Sequence, residues 1–481
     1  MEPAECGKTA PTVSEGHTHP KGEKRHGLTG LCCTTAPACD PTKRREGSMK
    51  RSNNINENIS PEIRLMLAGA RSDSARVQYL LSSPVNWGLF LRLAAYHQVY
   101  PLVYQTLSQL NNPAVPENVM ISLRTQCREN SLRALNMTGE TIRMVNCLES
   151  HGLRAVVLKG VALASHLYGN IAIRPSSDVD ILVSPDVVEL ATKILEDEGY
   201  RETHPEYGLT PRQNQIYLRA YPHPHHLVFW HAERNIFLEI HWNLGHFGQV
   251  VLPMPTDTSI ERIQVAGSSL PVLADEEWLL YLVSHGAGHA WFSFRWLVDI
   301  GKFMQRELDW EKLESLAKNL GMQFILHSAL ILANHLLETP LPPGYQSSVL
   351  ADRRAERLSS LAISLCFACA DQQLREPGSD FNNYWYFVYH YQMRVGWRNK
   401  VKYIFSLWRP AVSDIRLVSL PDPLYPLYYV IRPFTLFYWV FARSQKATAG
   451  RLGKSTERET AETDNPSGGS IGSSAYRKGH R

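Results

Sequence analysis

Residues 158–183 read LKGVALASHLYGNIAIRPSSDVDILV. The last six, Asp178 to Val183, decide the fold. Their apolar members Val179, Ile181, Leu182 and Val183 predict a short buried strand. Side chains alternate across a strand, so Asp178 and Asp180 share one face, about 6.5–7 Å apart along the chain. Two carboxylates among apolar neighbours are costly unless a positive charge lies between them. A divalent cation meets that need, and the hard ion Mg²⁺ (or Mn²⁺) suits oxygen ligands.

The residues upstream extend the pattern. Leu153 to Leu158 reads as another strand, ending in Lys159-Gly160. Val161 to Tyr168 then reads as a short helix, and Gly169-Asn170 as its stop. The order is strand, glycine turn, helix, loop, strand with paired aspartates. Gly160 allows backbone N–H groups to approach a phosphate at the helix start. Lys159 and Arg174 add positive charge. A nucleoside triphosphate fits this plan: phosphates at the turn, metal at the carboxylates.

Leu158-Lys159-Gly160, Tyr168-Gly169, Arg174-Pro175 and the Asp-x-Asp strand together resemble the nucleotidyltransferase superfamily of the DNA polymerase β type. They resemble more closely its bacterial branch of uncharacterised nucleotidyltransferases. The resemblance extends over about residues 75 to 435 and is specific over 153–183, 227–243 and 285–299. It implies an α+β fold: a small mixed twisted sheet of nucleotidyltransferase-like topology, embedded among helical regions. It also implies transfer of a nucleoside monophosphate from a triphosphate to an acceptor, with Mg²⁺ and release of pyrophosphate. In one position the chain departs from the superfamily: Val161 stands where Ser or Gly is usual, which removes a hydroxyl from the turn.

The superfamily uses a third carboxylate on a neighbouring strand. Glu239, in Ile236 to Trp242, is the candidate. Alternation puts Phe237, Glu239 and His241 on one face. His226 to His231 reads as the hairpin partner, through Ala232-Glu233-Arg234-Asn235. The competing reading is an edge-strand glutamate facing water. Asp178, Asp180 and Glu239 are thus the expected metal ligands and catalytic residues. Lys159, Gly160, Arg174 and His241 are the expected nucleotide-binding residues.

Trp278 to His289 reads as a helix with an acidic start at Asp275-Glu276-Glu277. His285 and His289 are one helical turn apart. Zinc proteolysis needs Glu after the first His, and Gly286 stands there. Arg295-Trp296-Leu297-Val298-Asp299 follows. Two readings stay open: a buried network pairing Arg295 or His289 with Asp299, or a set of groups facing the cleft.

The 481 residues, 44% hydrophobic, suffice for two or three structural units. The net charge of +4 does not point to nucleic acid. The first residues lack the apolar core of a signal peptide, and no uninterrupted membrane span is visible. The expected location is cytoplasmic, with peripheral membrane contact as an addition. The eight cysteines have neither a secretory context nor zinc spacing. Cys366-Phe367-Ala368-Cys369 reads as helix core, and the cluster of Cys6, Cys32, Cys33 and Cys39 near His17, His19 and His26 as no metal site. The chain divides into a disordered tail (1–57), a helical region (58–150), the α/β domain (151–270), a helical domain (271–375), an aromatic and basic region (376–443) and a second disordered tail (444–481).

In the aromatic and basic region, Arg394, Arg398, Lys400, Lys402 and Arg409 alternate with Trp397, Val401, Tyr403, Ile404, Phe405 and Trp408. Such a pattern is a helix packed on the enzyme with its basic face in water, or a membrane-surface element over 394–441. Nucleic acid is the least favoured partner. Pro426, Arg432 and Pro433 interrupt the apolar run Leu424 to Phe441 and argue against a spanning helix. The overall expectation is a nucleotidyltransferase acting on a nucleoside triphosphate and an unidentified acceptor. A catalytically silent nucleotide-binding or scaffold module is the alternative, as is a membrane-surface accessory protein of polymer or peptide biosynthesis.

Overall fold

Asp178–Leu182 is the central strand of a mixed seven-stranded sheet. The computed structural model describes residues 59–202, 226–245, 252–375, 384–418 and 420–437. The segments read as disordered tails, and the cysteine–histidine cluster near the start, lie outside these residues. In chain order the strands are β1 (Val156–Val157), β2 (Asp178–Leu182), β3 (Arg201–Glu202), β4 (His226–His231), β5 (Ile236–His241), β6 (Ile260–Val265) and β7 (Ser268–Leu273). Their spatial order is β3-β4-β5-β2-β1-β7-β6. β2 runs parallel to β5 and antiparallel to β1, and β1 runs parallel to β7. The β4–β5 and β6–β7 pairs are antiparallel hairpins. The fold class is α+β.

All five residues of β2 are buried. β1 spans only Val156–Val157, shorter than the Leu153–Leu158 run suggests. Leu158 still joins the sheet, its N–H donating to Asp180 O over 3.1 Å. The β4–β5 hairpin turns through residues 232–235, with Asn235 in the left-handed region at φ 54°. Asn tolerates that conformation better than most residues.

Helices cover the sheet. Glu117–Ser150 is one 34-residue helix, and it packs on β2, β7 and the helix Gly160–Tyr168. No Gly or Pro interrupts it except Gly139, which leaves its ladder of hydrogen bonds intact. On its buried face, Glu140 accepts from Tyr200 Oη at 2.8 Å and pairs with Arg143 and Arg234. This cluster ties the β4–β5 turn to the helix. The helix Pro61–Ala70 starts on Ser60, whose hydroxyl accepts from Ile63 N, with Pro61 at the first position.

After the sheet, the helices Asp275–Gly288, Phe294–Phe303, Trp310–Asn319, Gln323–Leu337 and Arg353–Arg375 pack on one another. Cys366 is buried in the last of them, as core. Gly286 is required by packing: a Cβ there would lie 2.4 Å from the Trp291 ring. The ring presses on the helix where a zinc protease carries its glutamate.

His327 lies between Glu314 Oε1 at 2.7 Å and Asp352 Oδ2 at 3.0 Å. Burial opposes its charge, but the two carboxylates outweigh burial and raise its pKa. A histidine raised on folding stabilises most below its unfolded value, about 6.5, and that contribution fades as pH climbs through the higher folded value. His327→Gln should therefore lower the melting temperature more at pH 6 than at pH 9. Melting curves at the two pH values check this, and an equal drop at both would contradict it.

Candidate active site

The site grows from the parallel pairing of β2 and β5. Asp180 is directly opposite Glu239 in that register, and Leu182 opposite His241. Directly opposed residues of parallel strands point to the same side. Asp178, Asp180, Glu239 and His241 thus lie on one face of the sheet. β5 is flanked by β2 and β4, so Glu239 is not on an edge. It is buried, and the solvated-glutamate reading falls.

Asp180, 1% exposed, is the hub. Its Oδ1 lies 2.9 Å from Lys159 Nζ and 3.2 Å from His241 Nε2. His241 Nε2 is also 3.3 Å from Glu239 Oε2. A ring nitrogen between two carboxylate oxygens must carry the proton and donate to them. The His226 ring stacks on His241 at 5.1 Å and fixes its plane. Potential ligand atoms of Asp180, Glu239 and His241 all lie within 4.8 Å of one another. Asp178 stands one step along the same face, its Oδ1 accepting from Ser177 Oγ at 3.3 Å and Ser176 Oγ at 3.5 Å.

The charges respond to one another. Burial works against an ionised Asp180, but Lys159 and His241 overcome it and hold the carboxyl far below the usual range. Burial likewise works against the Lys159 ammonium, and Asp180, with Tyr281 and Glu239 adding, raises its pKa. His241 is raised in the same way by hydrogen bonds to Asp180 and Glu239 against the pull of burial.

Lys159 is held by its turn. Gly160 begins the helix at φ 66°, a left-handed conformation that suits glycine. Trp278 Nε1, fully buried, donates to Leu158 O at 2.7 Å and locks the residue before Lys159. His166 stacks on Trp278 and bonds Asp275 Oδ1 at 2.6 Å. Val161, where the superfamily carries a hydroxyl or glycine, is buried.

Arg174 and Arg295 form a second group. Arg174 is buried, and its Nε donates to Asp299 Oδ2 at 2.8 Å. Tyr168 Oη donates to Asp299 Oδ1 at 2.8 Å. The partners of Asp299 are therefore Arg174 and Tyr168, rather than the Arg295 or His289 that its own segment suggests. Arg295 Nη1 donates instead to Pro175 O. Burial and the nearby Arg174 charge lower the Arg295 pKa, against the opposing influence of Asp299 and Asp180. Arg174 Nη2 and Arg295 Nε are buried without a hydrogen-bond partner among the described residues. Arg174 thus pairs with Asp299 and Arg295 with a backbone carbonyl, and each keeps a donor to spare. His285 and His289 pack with Trp296, whose ring stacks on His289 at 5.0 Å.

Sequence reading did not single out Tyr281, Trp278 or His226. All three are aromatic or imidazole rings in apolar runs, where pattern alone reads core. Only the fold shows that they border the charged cluster.

The donor set fits a divalent ion. It offers two carboxylates with an imidazole beside them, and Asp180 Oδ2 is buried with no hydrogen-bond partner among the described residues. Such an orphaned oxygen costs about 1–3 kcal/mol unless something positive meets it. Carboxylate oxygens suit Mg²⁺ and Mn²⁺.

A family model described as an uncharacterised nucleotidyltransferase matches residues 83–338, more than half of the chain. No curated protein and no solved structure matches.

Metal binding to this cluster should appear as stabilisation, because an ion that binds only the folded state adds RT ln(1 + [L]/Kd). Millimolar Mn²⁺ or Mg²⁺ should raise the melting temperature of the protein, and Glu239→Gln and Asp180→Asn should abolish the rise. Thermal shift with and without the ion tests this; an undiminished rise in both variants would place the ion elsewhere.

Proposed function

The chain belongs to the uncharacterised nucleotidyltransferase family, and we propose that it transfers a nucleoside monophosphate from a nucleoside triphosphate to an acceptor, with pyrophosphate leaving. The observation that carries this reading is the convergence of Asp180, Glu239 and His241 beside Lys159. Asp180, Glu239 and Asp178 would hold divalent metal, Mg²⁺ or Mn²⁺. When bound, the metal would polarise the α-phosphate and neutralise charge that builds on it.

The remaining work falls to the chain itself. Lys159 reaches across the glycine turn to the carboxylates and meets phosphate charge there. Arg174 and Arg295, with donors unused, take phosphate oxygens; a guanidinium fork suits that geometry. Gly160 lets the backbone approach the same group. His241 steers the Asp180 and Glu239 carboxylates by donating to both. The acceptor attacks the α-phosphorus, and the bond from that phosphorus to the bridging oxygen of the β-phosphate breaks.

Val161 supplies no hydroxyl to the turn, so phosphate binding in this reading depends on the cations more than in relatives with Ser. A silent nucleotide-binding module is the competing reading, and one experiment separates the two. The protein is incubated with each labelled nucleoside triphosphate and Mg²⁺ or Mn²⁺, and pyrophosphate release is followed. Release with at least one nucleotide, reduced about a hundredfold or more in Asp180→Asn and Glu239→Gln, is the expected result. Metal-dependent nucleotide binding without release would assign the silent module. Wild-type turnover by Glu239→Gln would remove the glutamate from the site.

A further inference from the structure

Most of the large apolar side chains that the described residues leave in water lie between Tyr384 and Phe437. They are not scattered. In the helix Gly396–Ser406 and the turn after it, Trp397, Val401, Ile404, Phe405 and Trp408 are all exposed. Their spacing places them on one stripe at 100° per residue. Trp397 is 71% exposed and Phe405 67%. The helix Leu427–Phe437 repeats the arrangement, with Leu427, Val430, Phe434 and Phe437 on a single stripe and Phe434 73% exposed. Its opposite side is packed: Tyr428 is fully buried, and Thr435 donates to Asp414 Oδ1 at 2.5 Å. Arg432 Nε donates to Leu407 O at 3.0 Å and ties the second helix to the end of the first.

The reading of Gly396–Ser406 as a helix with its apolar face on the enzyme and its basic face in water does not fit this arrangement. The apolar stripe is the solvated one. The cations border it: Arg398, Lys402 and Arg409 follow one edge and Lys400 the other. None of the four has an acidic partner among the described residues. Arg394 is the exception in that run, buried with its guanidinium 4.5 Å from the Tyr403 ring centre. Asp414 is the one acid from Arg394 to Leu420, and it is fully buried, held by Ala411 N and Thr435.

We propose that this face docks on an anionic lipid surface. An exposed aromatic stripe with basic edges is what an in-plane amphipathic helix presents to a bilayer: rings reach the acyl boundary and cations meet headgroup phosphates. Charge complementarity selects this occupant. A second copy of the chain would bring like-charged edges together, and the helix Gly396–Ser406 carries no acid to offset them. The contact is peripheral, since no helix among the described residues is long and apolar enough to cross a membrane. Docking would hold the nucleotidyl-transfer site near an interface, where an acceptor attached to lipid is within reach.

The test uses the full chain and vesicles of two compositions, phosphatidylcholine alone and phosphatidylcholine with about one-third phosphatidylserine. Co-sedimentation with the second and not the first is expected. The triple variant Arg398→Glu, Lys402→Glu, Arg409→Glu should bind about a hundredfold more weakly, from roughly fivefold per cation. Trp397→Ser with Phe405→Ser should bind no better than that variant. Raising salt to about 0.5 M should release the wild-type protein, a readout that needs no variant. Wild-type protein that ignores both vesicles, or binds them equally well at high salt, overturns the proposal. So does a wild-type dimer that falls to monomer in Trp397→Ser with Phe405→Ser without lipid, which would give the face to a second copy. Pyrophosphate release in solution is measured separately, so failure here leaves the transfer reading standing.

Discussion

The ion pair between Lys159 and Asp180 fixes the geometry of everything around it. The lysine belongs to a glycine turn and the aspartate to the middle strand of the sheet, so the pair sets how far turn and strand stand apart. Both groups are shielded from water. Removing either partner would leave an uncompensated buried charge, which typically costs several kcal/mol. Such a pair is weak as a source of stability, because desolvation offsets much of its attraction. Its value is positional. It keeps a carboxylate ionised at the sheet centre and aims a cation at the same point.

Around that pair the charged groups do not match one to one. Lys159 answers Asp180 and Arg174 answers Asp299, while Arg295 donates to the Pro175 carbonyl. Opposite them, Asp180 keeps an oxygen without a donor among the described residues. Unused acceptor capacity and unused donor capacity thus sit in one buried neighbourhood without cancelling. A fold selected for stability alone would let them meet. In the proposed function, phosphate and a cation arriving together would satisfy both.

Much of this was legible in the chain because strands have a strict period of two. Asp178 and Asp180 share a face for that reason alone, and so do Phe237, Glu239 and His241. Gly160, Gly169 and the 232–235 turn were readable from the backbone conformations those residues tolerate. Other features were not, and each has a physical reason. The parallel neighbour of β2 is β5, across the 53 residues 183–235, and nothing local specifies that pairing. The β6–β7 hairpin was hidden because Ile260, Ile263 and Val265 break the alternation of an amphipathic strand. Arg174 and Asp299 are 125 residues apart, so their pairing could only emerge from tertiary packing. In the region after Tyr384 the basic and aromatic alternation was visible, but its facing was not. Periodicity shows that a helix has two sides and is silent on which one meets solvent.

The Arg174–Asp299 bond also bears on how the protein is made. A chain emerging from the ribosome reaches the two aspartates, then Glu239 and His241, well before Asp299 exists. During that interval Arg174 has no counter-ion from the later helices, and the loop that carries it lacks its anchor. Long sequence separation slows such closures, and domains tend to form as units once their last essential element appears. The nascent sheet can therefore assemble early, yet the cationic half of its site is completed only when the helix Phe294–Phe303 has been synthesised and folded back. Birth order thus separates the acidic half of the candidate site from the basic half.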